Sequence, residues 1–252
     1  MPARKRKACA FCGRDDQKIT NEDALPRWIQ NLFSREALVR LETDGRIVAS
    51  WKSGQKNGPR INDVCESCNT SMSKLEDSVQ PTLKPMITNG TTTHITMDNT
   101  RILTSWVYMT AMVFDLIRPN QSAPYFLPSE RQRIVTEPMA SILQDEGLNV
   151  WLAFYSGQSP WTIQQRKGTI ATLTPKREPF DVYTFTISIG KVALQVLAFR
   201  VKGIVINDPA HAIWDNACIR IWPLAKNAYW PPAWRLKEPG FQAFRHRFKA
   251  SD

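Results

Sequence analysis

The sequence predicts an α+β protein in two parts. Residues 1–90 form a metal-clamped N-terminal module, and residues 91–252 form a body of helix plus mainly antiparallel sheet. Three observations carry this reading. Two Cys-x2-Cys pairs, Cys9/Cys12 and Cys65/Cys68, stand with 52 residues between them. From about 100 to 118, apolar side chains (Ile102, Leu103, Trp106, Val107, Met109, Val113, Leu116, Ile117) cover most of a helical circumference, the mark of a buried helix. From about residue 148 the texture turns to β-formers, with two long runs, Val182–Ile189 and Val192–Val201, joined at Gly190-Lys191 as in a hairpin.

Composition sets the outer limits. With 42% hydrophobic and 22% charged residues, a chain of 252 residues has enough apolar matter for a packed core, which excludes disorder over most of its length. The best apolar run, Trp106 to Ile117, is short and carries Asp115, so no membrane span is expected. The basic leader Arg4-Lys5-Arg6-Lys7 runs into a cysteine pair rather than an apolar core, which argues against a secretory signal and for a cytoplasmic setting. A net charge of +10 points to a polyanionic partner, and charge and cysteine pairs together make nucleic acid, DNA or RNA, the expected one.

Along the chain, Cys9 to Gly13 fits a tight knuckle, with Gly13 supplying a permissive backbone. Lys18-Ile19-Thr20 reads as extended. Pro26 opens a helix, striped by Ile29, Leu32, Phe33 and Leu38. Gly45 to Trp51 reads as a strand, and Ser53 to Pro59 as a loop. Ile61 to Val64 leads into the second knuckle. After Asn69 a helix places Met72, Leu75 and Val79 on one face, and Pro81 and Pro85 end or interrupt it. Thr91 to Thr96 is β-forming, and Asp98-Asn99-Thr100 is placed to cap the long helix. Ser129 to Val135 reads as a short surface helix started by Pro128. Asn149–Ser156, Ile170–Leu173, Gly203–Ile206 and Ile219–Trp222 are further strand candidates. The proline-rich end, Tyr229 to Trp234, is no helix interior, and Arg245, His246, Arg247 and Lys249 close the chain with positive charge.

The cysteines carry the clearest chemistry. Two-residue spacing lets both thiolates of a pair reach one tetrahedral ion, at about 2.3 Å for zinc. Two pairs then fill all four positions, so Cys9, Cys12, Cys65 and Cys68 make a structural zinc site with no place for substrate. In this setting such pairs bind metal more readily than they form disulfides. Cys218, between Ala217 and Ile219, reads as a buried apolar residue.

Clamping the two pairs brings Glu22-Asp23 beside Asn69. Carboxylate and carboxamide oxygens suit Mg²⁺ or Mn²⁺ with open water positions. The same residues have simpler readings. Glu22 and Asp23 suit the N-terminal end of the Pro26 helix, and Asn69 suits an N-cap.

The layout Cys9-x2-Cys12, then Thr20-Asn21-Glu22-Asp23-Ala24-Leu25-Pro26-Arg27-Trp28, then Val64-Cys65-x2-Cys68-Asn69 resembles the HNH nuclease family in its zinc-ribbon form. The resemblance implies a ββα-metal module. It implies that Glu22 and Asn69 hold a catalytic divalent metal (Mg²⁺ or Mn²⁺), and that the protein hydrolyses phosphodiester bonds of nucleic acid. The family's general base is a histidine, and here its position is Asp23. An aspartate titrates near 3.9 and a histidine near 6.5, so Asp23 is the weaker base. It serves as base or metal ligand, or the site is inactive and the module only binds nucleic acid or a protein. Of the three histidines, His94 is the substitute to consider first; His211 and His246 lie in a loop and in the basic tail. The body shows no readable chemistry: its aromatic strands and the helix 100–118 read as a core, with substrate specificity, a homodimer contact or a protein partner as the rarer reading.

Overall fold

In the computed structural model, residues 7–53, 58–117, 123–137, 147–158, 161–171, 179–201, 214–223 and 227–248 are described. The expected strand Gly203–Ile206, the helix stop at 119–121 and His211 lie outside them.

Two strands and a helix frame the N-terminal region. β1 (Ile19–Asp23) pairs antiparallel with β4 (Arg60–Cys65), setting Ile19 opposite Cys65 and Asp23 opposite Arg60. α2 (Glu66–Asn89) follows β4 without a loop, and Cys65 is both the last strand residue and the helix N-cap. Asn69 therefore sits inside the first turn, and its reading as an N-cap is corrected. Pro26 does open a helix, but α1 spans only Arg27–Gln30. Leu38, expected on its stripe, instead begins β2 (Leu38–Thr43). β2 and β3 (Arg46–Lys52) form a hairpin over Asp44-Gly45, with φ of 49° and 80°, the left-handed pair a two-residue turn needs.

Pro81 and Pro85 do not stop α2, which continues to Asn89 and ends at Gly90. Each proline removes a backbone hydrogen bond. Burial of Val79, Leu83, Met86 and Ile87 in the core offsets that loss. β5 (Thr93–Ile95) leads to α3 (Met97–Leu116), whose N-cap is Thr96: its hydroxyl accepts from the Asn99 amide at 3.2 Å. The cap thus falls two residues before the expected Asp98. α3 is buried through most of its length, as its pattern required. α4 (Pro128–Thr136) follows where expected, though Arg131 and Ile134 on it are buried.

The body sheet contains β6 (Leu148–Tyr155), β7 (Trp161–Ala171), β8 (Pro179–Ile189), β9 (Val192–Phe199) and β10 (Cys218–Trp222). Its order is β10-β6-β9-β8-β7-β2-β3. β12 (Arg235–Leu236) adds parallel to β6, and β2 pairs parallel to β7; the other pairs are antiparallel. β11 (Ala228–Trp230) pairs with β5. α5 (Glu238–His246), which the basic composition of the tail concealed, closes the described chain.

Both faces of the sheet are covered. Val150, Leu152 and Phe154 of β6 join the core shared with α2 and α3, while Trp151, Ala153 and Tyr155 join a second core with Phe241 and Phe244 of α5. The period of two sends alternate residues to opposite faces. The turn between β8 and β9 docks on the end of α2: the Lys191 amide donates to the Ile87 carbonyl at 3.1 Å. Gly190 has φ of 55°, and a Cβ there would stand 2.5 Å from that carbonyl oxygen, so only glycine fits.

No break falls at residue 90. The hairpin β2–β3 belongs to the body sheet, and one apolar core runs from Cys9 and Phe11 to Trp230. The four-cysteine cluster lies within residues 1–90, and the apolar core is shared with 91–252. Among the described residues no helix is long and apolar enough to cross a membrane.

Candidate metal centre

The four cysteines meet. Their sulfurs all lie within 4.8 Å of one another, and Cys12 Sγ is 3.6 Å from Cys65 Sγ. Four sulfurs about 2.3 Å from one tetrahedral ion are about 3.8 Å apart, so the cluster could hold a metal ion such as zinc. The first knuckle is closed by the Gly13 amide donating to the Cys9 carbonyl at 2.9 Å, with Gly13 at φ 73°. The Phe11 and Cys65 amides donate to Cys9 Sγ at 3.4 and 3.3 Å. Burial pushes the Cys68 thiol up, and the sulfurs of Cys65 and Cys12 push it further. Four sulfurs packed this way ionise together only around a cation.

The clamp is bolted to the rest of the fold by Arg131. Its Nε donates to the Ala10 carbonyl at 2.7 Å, and its guanidinium also reaches the Phe126 carbonyl. The Ala10 amide in turn donates to the Asp63 carbonyl at 2.6 Å. Sequence reasoning missed Arg131, since nothing in a helix 120 residues downstream marks it as a partner of the knuckle.

Beside the cysteines, Glu22 and Asn69 come together as expected. Desolvation raises the Glu22 carboxyl, and the Asn69 carboxamide, donating to it, offsets part of the rise. That donation fixes which way the amide faces, because the reverse would set its oxygen against a carboxylate. Asn69 Oδ1 is then left shut off from solvent with no donor. A buried, unpartnered amide oxygen carries a desolvation cost of about 1–3 kcal/mol.

Asp23 goes elsewhere. Neighbours on a strand face opposite ways, and Asp23 turns from Glu22 towards β4. Its two oxygens accept from Arg60 Nε at 2.8 Å and Arg27 Nε at 3.2 Å. His94 is not at the site. It lies beyond the C-terminal end of α2, stacked on Tyr229 with ring centroids 4.7 Å apart. Asn69 is in the first turn of that helix, about 30 Å away along its axis.

A second carboxylate was missed. Glu76 is half-buried on α2, and burial, then the negative charge of Glu22, push it up to about 8. Its signal was present as spacing: Asn69, Ser73 and Glu76 fall at i, i+4 and i+7, one face of a helix.

Compared with protein-family models, curated proteins and solved structures, the chain matches none significantly.

Proposed function

We propose that the protein is a divalent-metal-dependent nuclease of the HNH type, built on a structural zinc. The observation that carries this is the buried Asn69 Oδ1, unpartnered beside the Glu22 carboxylate. An amide oxygen left without a donor and a carboxylate next to it make a hard-oxygen pair that fits Mg²⁺ or Mn²⁺. Bound there, such an ion supplies Lewis-acid stabilisation of a scissile phosphate and acidifies a water. β1, β4 and α2 then correspond to the ββα-metal module that the motif resembles, with the four-cysteine cluster tying its ends.

Arg27 and Arg60 lie close enough to influence Glu22. Arg27 is largely exposed and is a cation for the phosphate backbone of DNA or another nucleic acid. A second reading has its own support. Asp23, at the family's base position, is held by both arginines, which favours a non-catalytic module that binds nucleic acid or a protein partner.

A cleavage assay on plasmid and single-stranded DNA with Mg²⁺ or Mn²⁺ separates them. Metal-dependent cleavage by wild type that is lost in Asn69→Ala supports the nuclease. No cleavage by wild type, with activity gained in Asp23→His, supports the binding module and ends the nuclease reading.

A further inference from the structure

We infer that an exposed aromatic strip at the β5–β11 pair binds a single strand of nucleic acid. Tyr229, backed by His94, and Trp234 stack on its bases, and Arg235 and Lys237 meet its phosphates. The strip lies beyond the far end of α2 from Asn69, and the inference does not rest on the metal site.

Strand alternation sets the rings outward. Tyr229 stands opposite His94 in the β11–β5 ladder, and the two rings stack with centroids 4.7 Å apart and planes 23° from parallel. Trp230, the next residue, faces the other way, fully buried and stacked on Phe154 at 5.4 Å. Tyr229 is 67% exposed, and Trp234, five residues on, is 52% exposed. Burying an aromatic ring removes about 150–250 Å² from water, so two such rings left at the surface of one short stretch mark a contact site. The backbone beneath them is held. The Trp234 amide donates to the Asn216 carbonyl at 2.7 Å, and Arg235 pairs with Phe154 of β6. Rings on a fixed backbone lose little freedom when a base stacks on them.

Charge selects the occupant. From 227 to 237 the chain carries two cations, Arg235 and Lys237, and no acid. Both are exposed, and among the described residues neither has a carboxylate partner. Glu238, the next acid along the chain, is turned away: it accepts from the Tyr155 hydroxyl at 2.6 Å and the Gln242 amide at 2.9 Å. Near His94, Asp98 is paired with Arg101. Protein interfaces also use aromatic and arginine side chains. A cationic stretch without an acid, on a chain of net charge +10, favours a polyanion instead. An unpaired base offers its π-face to a ring, whereas a duplex hides those faces within its own stack, so the occupant is single-stranded.

The test is fluorescence anisotropy of a short labelled oligo-dT strand, and of its duplex with oligo-dA, titrated with the zinc-loaded full-length protein. No Mg²⁺ or Mn²⁺ is added, so cleavage does not enter, and circular dichroism is recorded for each variant. Wild type should bind the single strand more tightly than the duplex. Tyr229→Ala and Trp234→Ala should each weaken strand binding about tenfold, in the range for losing one stacked base. Tyr229→Phe, which keeps the ring, should bind as wild type does. Replacing Arg235 and Lys237 together by glutamine should make binding less sensitive to salt. Asn69→Ala, about 30 Å away along α2, should leave strand binding unchanged, so that failure of the metal site and failure of this strip are told apart. Unchanged binding in a folded Tyr229→Ala, Trp234→Ala double variant overturns the inference. So does a wild type that prefers the duplex, or one that binds neither probe, which would leave a protein as the occupant of the strip.

Discussion

Adjacent residues on β1 carry carboxylates with different fates. Glu22 faces α2 and its charge is opposed by burial, while Asp23 faces β4 and is neutralised by Arg60 and Arg27. The motif alone treats them as a pair, and only the strand's period separates them. Arg131 makes the opposite point, since one side chain serves three distant elements. It is buried, it satisfies Ala10 and Phe126 carbonyls, and its charge faces buried Asp115. Arg131→Met should cost about 1–3 kcal/mol, the usual penalty for leaving buried carbonyls, here those of Ala10 and Phe126, without their donor. It should also speed metal loss from the cysteines. Denaturant melts and the rate of zinc transfer to a chelator check this, and an unchanged transfer rate would show that Arg131 does not brace the knuckle. Tyr125 gives a pH prediction. Burial pushes its phenol up to about 12, from an ordinary 10, and its hydroxyl donates to the Ala198 carbonyl at 3.1 Å. A folded-state value above the unfolded one means the neutral form is favoured in the fold. That stability is whole below pH 10 and is lost as pH rises towards 12. The stability gap between wild type and Tyr125→Phe should therefore narrow between pH 9 and pH 11.5, measured by urea unfolding.

α2 positions the site, and it is the element whose sequence misleads most. Its first turn holds Cys68 and Asn69, its middle holds Glu76, and its end receives the β8–β9 turn at Ile87. Reading Pro81 and Pro85 as a stop follows from local chemistry, and tertiary packing overrode it. Leu83, Met86 and Ile87 are fully buried in the core, so the chain continues as helix despite the missing hydrogen bonds. Pro81 itself is exposed. Pro81→Ala should restore one backbone bond without disturbing the core and stabilise the protein by about 1–3 kcal/mol. An unchanged or lower denaturation midpoint would show that the proline bend is needed for packing. Strong periodic elements were legible for a related reason. α3 and the β8–β9 hairpin carry their burial in their own pattern, so α3, the hairpin and β6 emerged close to their observed bounds. β2 did not. Val39 to Thr43 alternates apolar and polar residues, but Leu38 was read as the end of a helical stripe, and the strand's parallel pairing with β7 is set by a partner more than a hundred residues later. The cysteine cluster was legible because its spacing encodes geometry directly. Glu76 was marked only by its helical spacing from Asn69, which gains meaning once the fold brings the charge of Glu22 to bear on it.

At the scale of the whole molecule, the cysteine cluster connects parts that the sequence keeps apart. It joins the segment before β1 to the β4–α2 junction. Arg131 ties the Cys9–Cys12 knuckle to α4, β2 and β3 extend the body sheet, and α2 packs in the same core as α3. A metal-bound module that folded by itself would unfold in its own transition, leaving the body intact. Here the N-terminal ninety residues supply two strands of the large sheet and one of the helices that cover it. If the four cysteines hold a metal, its removal should therefore weaken the entire fold rather than release one end. Cys65→Ser should lower the melting temperature of the whole chain, with the near-ultraviolet signal of the body tryptophans and the far-ultraviolet signal changing together in one step. A fragment covering 91–252 should fail to fold, because it lacks α2 over the sheet and the β2–β3 hairpin at its edge. Two separated transitions in Cys65→Ser, or a well-folded 91–252 fragment, would mean that the apolar contact across residue 90 contributes little. The clamp would then hold only its own loops. A single transition would mean that the four thiols secure a body sheet to which, among the described residues, they contribute no strand: Cys65 ends β4, which pairs with β1 in a separate two-stranded sheet.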